Sequence, residues 1–172
     1  MRIKLSLFIG AFCLLTGKFY AQDKHKTDSI NVLLNAATED TERVKQSLAL
    51  FSTSFPFDKP GMNKYSLMAF GYSQNLSEGK WKGKGILARG QYLKEMENYD
   101  SAQTCMIEAL KYFDPEKNKK EMGNANSYLG YFQEKLNKWE KAIDYHRLAL
   151  KYRMELQDAN AISISQIGRA HV

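Results

Sequence analysis

Ala109-Leu110-Lys111-Tyr112 recurs letter for letter as Ala149-Leu150-Lys151-Tyr152, at a spacing of 40 residues. The same step extends outward from this tetrapeptide. Tyr72 stands one period before Tyr112, and Ala69 and Phe70 stand one period before Ala109 and Leu110. Met62, Ala102 and Ala142 keep the step. Gly83 with Gly123 and Gly90 with Gly130 repeat it between the two better-formed copies. A fixed period of about 20–50 residues is the signature of stacked structural repeats. It bears on function too, because repeat arrays present extended surfaces to partners.

The rest of the composition agrees with a folded chain. A length of 172 residues allows one domain with a sizeable core. Aromatic content of 12% and hydrophobic content of 44% argue against disorder. Of three prolines, Pro56 and Pro60 share the stretch 55–61, so long helices are permitted elsewhere.

The first 22 residues belong to a different class. Arg2 and Lys4 precede an apolar run from Leu5 to Leu15, which exits through Thr16, Gly17 and Lys18. A short basic start followed by about 7–15 apolar residues reads as a secretory signal and not as a membrane span. Small Ala21 sets the expected cut near Ala21–Gln22. A lipid anchor at Cys13 is rejected, because Phe12 occupies the place where that signal needs a small residue. Loss of Arg2, Lys4 and Lys18 takes the formal charge from +6 to +3, too mild a balance to imply nucleic acid. Cys105 is then the lone cysteine, so no internal disulfide forms and stability rests on packing.

From Asp28 onward the pattern is helical. Ile30, Leu33, Leu34 and Ala37 make a short amphipathic lead-in, assigned to 23–40. Thr38-Glu39-Asp40-Thr41-Glu42 offers capping residues and first-turn acids for a helix carrying Val44, Leu48 and Phe51. Further helices are expected over 62–76, 86–96, 99–113, 124–136 and 138–156, with turns at Glu97-Asn98 and Asn137. The lysine- and glycine-rich stretch 79–85 reads as a turn between units. It lacks the spacing and the preceding strand of a phosphate-binding loop. No strand pattern of useful length appears, and the expected class is all-α.

These residues resemble the tetratricopeptide repeat. Leu129-Gly130 matches the Leu-Gly step of that family's first helix, and Tyr99 and Trp139 match the aromatic that opens its second. Ala102 and Ala142 match the first small position of the second helix, and Ala109 and Ala149 the later one. Gly or Ala lets two helix backbones approach closely while large neighbours fill the space. The period of 40 fits the longer-helix variants of the family. Departures are Arg89 where leucine is expected before Gly90, Leu50 in place of a glycine, and Met62 and Ser66 in the first copy. The resemblance implies antiparallel hairpins stacked in a right-handed solenoid. Units are expected over about 41–79, 80–118 and 119–157, with the start of a fourth running to 166. The terminal Ile-Gly-Arg-Ala-His-Val resembles one reading frame of a sequencing adaptor, so 167–172 is expected to be a non-native tail and the natural protein to continue.

No catalytic constellation stands out, and no enzyme activity, metal or cofactor is expected of this segment. The three histidines show no ligand spacing, and His146 falls on a buried register. Cys105 reads as a small packing residue. In the resembling family, first helices line a concave groove that holds protein or peptide. Carried over residue by residue, the groove positions are Lys84, Leu87, Gln91 and Lys94, then Asn124, Ser127, Tyr131 and Glu134. Tyr131 would be the apolar anchor of an extended peptide. The lysine and asparagine set by which some relatives clamp a carboxylate is not reproduced.

The expected function is therefore a non-catalytic, exported interaction scaffold, periplasmic or otherwise extracytoplasmic. An export signal, a Thr-Glu-Asp-Thr opening and 40-residue repeats resemble the sensory regions of membrane-bound bacterial histidine kinases and helix-turn-helix regulators. That resemblance implies a downstream membrane helix and output domain. The alternatives are a free-standing secreted or periplasmic adaptor, and the repeat region of an enzyme whose catalytic domain lies beyond 166.

Overall fold

Helix signals and breakers alternate along the chain, and the computed structural model, which describes residues 25–156, follows them closely. Its helices are α1 (25–36), α2 (Asp40–Ser54), α3 (Lys59–Gln74), α4 (Lys80–Glu95), α5 (Tyr99–Leu110), α6 (Lys119–Lys135) and α7 (Trp139–Glu155). The described residues contain no strand, and the class is all-α. The expected leader over 1–22 and the expected tail over 167–172 lie outside the described residues.

Local chemistry accounts for most helix ends. Asp58 accepts a hydrogen bond from the Gly61 backbone N–H at 3.0 Å, with Pro60 in the first turn of α3. Proline is tolerated there because that N–H has no intrahelical partner. Asn98 caps α5 in the same way, accepting from Ser101 at 3.3 Å. The acids of α2 are Asp40 and Glu42 as expected, but its cap residue is Glu39, which makes no side-chain capping bond. The turns after α4 and α6 are built alike. Asn98 and Lys138 each donate their backbone N–H to a carbonyl five residues back, Leu93 and Gln133, both at 2.9 Å. Glu97 and Asn137 between them are left-handed, at φ 58° and 55°. This is a Schellman closure, repeated at the 40-residue step.

Four boundaries differ from expectation by three residues or more. α3 begins at Lys59, three residues before the expected 62, because the Asp58 cap takes Pro60 and Gly61 into its first turn. α4 begins at Lys80, so 80–85 is helix and only Gly79, at φ 93°, turns the chain. Gly83 and Gly85 sit in that helix for want of space. A Cβ on Gly85 would lie 2.5 Å from the Ala69 carbonyl oxygen, and one on Gly83 would lie 2.6 Å from the Phe113 ring. α6 begins at Lys119, five residues before the expected start at 124. The chain before it is folded by Asp114, whose carboxylate accepts from the N–H groups of Glu116 and Lys117 at 2.9 and 3.2 Å. α5 stops at Leu110, leaving Phe113 buried against Gly83.

The same close approaches define the packing. Gly83 faces Ala109 and Phe113 while Gly90 faces Ala102, Cys105 and Met106, so α4 and α5 run antiparallel. Gly123 faces Ala149 while Gly130 faces His146, so α6 and α7 do likewise. α4 also packs antiparallel on α3, with Gly85 at Ala69 and Ser73, and Arg89 at Asn63 (3.0 Å) and Ser66 (3.5 Å). Arg89 and Ser66, two departures from the expected pattern, thus bond one another. Ala69, Ala109 and Ala149, and Met62, Ala102 and Ala142, are all fully buried. Leu50 fills the place of a glycine in a cluster with Phe51, Met62 and Tyr65.

Candidate functional site

Side chains from α4 meet side chains from α6 at a constant offset. Lys84 pairs with Glu121 at 2.6 Å, and Gln91 donates to the Tyr128 hydroxyl at 3.4 Å. The Lys94 ammonium lies 5.5 Å from the Tyr131 ring centroid. Each pair is 37 residues apart, so α4 and α6 lie side by side and parallel. Lys45 of α2 reaches the Trp81 ring of α4, 5.3 Å from its centroid, and continues the face to a third helix.

The eight groove positions divide on this face. Lys94 and Tyr131 meet one another, while Lys84 and Gln91 meet Glu121 and Tyr128 on the same face. Asn124 and Ser127 are half-buried on α6. Leu87 departs from the expectation: it is buried at 6% exposure in the core cluster that holds Ala125 and Leu129, so it packs and offers no contact surface. Glu134 departs as well. Its carboxylate lies 2.8 Å from His146 Nε2 of α7 and is engaged there.

Of the packing positions, Gly90, Ala102, Ala109, Leu129, Gly130, Ala142 and Ala149 are buried. Tyr99 packs its ring 6.0 Å from both Tyr131 and Phe132. Trp139, its counterpart one period on, is 46% exposed. His146 is buried as its register implied, its ring lying flush on Gly130, where a Cβ would come within 2.5 Å.

Trp81, Lys45, Lys80, Glu121 and Tyr128 belong to the face and went unpredicted. The signal for Trp81 was available, since 81, 84, 91 and 94 share a helical stripe once α4 is started at Lys80. Three ammonium groups surround its ring: Lys84 at 4.8 Å, and Lys45 and Lys80 at 5.3 Å. At the other end Lys135 lies 5.2 Å from the Tyr131 ring.

Ionisation follows these surroundings. Burial raises the Tyr128 phenol above its ordinary pKa, against the opposing pull of Lys94 and Gln91. Burial tends to lower Lys94, but its hydrogen bond and charge pairing with Glu95 outweigh it and leave the ammonium raised. The bond to Tyr131 raises Tyr99. Burial likewise raises the Cys105 thiol, despite Arg89, and favours its neutral form. The Lys94 ammonium therefore stays charged at neutral pH.

Among the described residues no group of three or more His, Cys, Asp or Glu could hold a metal ion. No helix among them is long and apolar enough to cross a membrane. Comparison with known protein families, with curated proteins and with solved structures finds no match to this chain.

Proposed function

We propose that the chain is a non-catalytic scaffold that holds protein or peptide partners on the face formed by α2, α4 and α6. In this reading the hairpins α2–α3, α4–α5 and α6–α7 are successive tetratricopeptide-like units of a right-handed solenoid. The observation that carries it is the constant 37-residue offset of Lys84–Glu121, Gln91–Tyr128 and Lys94–Tyr131. A constant offset between first helices makes one continuous surface, which is what repeat proteins use for binding. The basic-then-apolar start of the sequence supports export. Together with the resemblance to sensory regions, it supports a place as the extracytoplasmic part of a larger signalling protein. An apolar segment of about 20 residues downstream in the reading frame is the expectation for that architecture.

Selection of peptides from a random library on the immobilised chain tests the scaffold reading. Peptides so obtained are expected to bind Tyr131→Ala about tenfold more weakly, roughly 1.4 kcal/mol, as for loss of an aromatic anchor. They should bind Ile107→Ala, changed at an exposed position of α5, as well as the parent. Equal binding to parent and Tyr131→Ala would refute the assignment of the face.

A further inference from the structure

The charge on this face is unevenly matched. Three lysines converge on the Trp81 ring from two helices. Lys45 has Glu42 at 3.0 Å and Lys84 has Glu121 at 2.6 Å. Lys80 makes no ion pair among the described residues. At the far end of α4, Lys94 and Lys135 flank the Tyr131 ring, and only Lys94 has a carboxylate, Glu95 at 2.7 Å. Five ammonium groups thus face three carboxylates, interleaved with aromatic rings. Ammonium groups held around one ring repel each other, and the ring quadrupole offsets only part of that. An incoming carboxylate relieves the repulsion at both ends.

Resting on the scaffold reading above, we propose that the partner segment is acidic. Its carboxylates enter between the lysines at Trp81 and at Tyr131, and its apolar side chains stack on the two rings. The 13 residues from Trp81 to Lys94 rise roughly 20 Å along α4. An extended chain covers that distance in about six residues. The geometry therefore selects acidic positions about six residues apart, with apolar residues between.

Lys80 and Lys135 make clean test positions, because both are exposed and neither pairs with a carboxylate among the described residues. Trp81 is one of two tryptophans, so Trp139→Phe leaves it as the sole indole reporter. The probe is a peptide with paired glutamates at each end of a short leucine- and serine-containing span, followed by Trp81 emission on the intact chain. Binding is expected to weaken about two- to fivefold for each of Lys80→Gln and Lys135→Gln, the range of exposed ion pairs. It should also weaken as salt rises. The same peptide with glutamines in place of glutamates should bind much more weakly. Equal binding of the two peptides, or no effect of either lysine substitution, overturns the acidic assignment. Lysine-dependent binding of phosphatidylglycerol vesicles without binding of the glutamate peptide overturns it too, in favour of an anionic lipid surface. If library peptides still bind in a Tyr131-dependent way while charge has no effect, the acidic assignment fails and the scaffold reading stands. Absence of any peptide binding at this face removes both.

Discussion

Phe132→Ala is expected to destabilise the chain by about 3–5 kcal/mol, the cost of emptying a large aromatic site in a packed core. Phe132 is 1% exposed on α6, within the cluster that also holds Met106, Ala109 and Phe113. Its ring lies 6.0 Å from Tyr99 and 5.9 Å from Tyr131, so truncation removes two aromatic contacts besides the buried area. Those rings belong to α5 and α6, and the loss therefore falls on the seam between two hairpins. Urea unfolding followed by helical circular dichroism measures it. Leu67→Ala, at a site 46% exposed, should change stability far less. Equal effects from the two would mean that Phe132 is not at the centre of the core.

Gly85→Ala is the second large effect. The added methyl would meet the Ala69 carbonyl oxygen and the Ser73 Cβ, both at 2.5 Å. Overpacking costs about 1–3 kcal/mol, and the obstacle here is backbone, which cannot rotate away. Alanine is the better helix former by about 1 kcal/mol, which offsets part of that cost. A net loss of about 1–2 kcal/mol is expected, toward the upper end of that balance because the clash is with backbone. Gly71→Ala supplies the contrast: nothing lies within 4 Å of its Cβ position in α3, so alanine there should stabilise by about 0.5–1 kcal/mol. The opposite signs of two identical substitutions in thermal unfolding separate close helix contact from propensity. If both stabilise, α3 and α4 do not approach as described.

These two sites also show where sequence is readable. Buried alanines at 69, 109 and 149 and the paired turns at Glu97 and Asn137 follow from residue type and a fixed interval. The start of α4 did not, because glycine signals a turn locally and a close approach globally, and only the second applies at Gly83 and Gly85. That one misreading hid Trp81 from the candidate site. Leu87 was misplaced for a related reason. Register puts it near the groove, but the seam between α4 and α6 covers it. The Glu134–His146 bond depends on how α7 crosses α6 over Gly130, which no local pattern records.

All proposals for binding depend on α4 and α6 lying side by side in parallel. Nuclear Overhauser contacts between side chains measure that arrangement directly. Cross-peaks are expected from the Lys94 methylenes to the Tyr128 and Tyr131 rings, and from the Gln91 side-chain amide to Tyr128. Cross-peaks from α4 to residues of α6 in the reverse order, or to none of them, would contradict a continuous face.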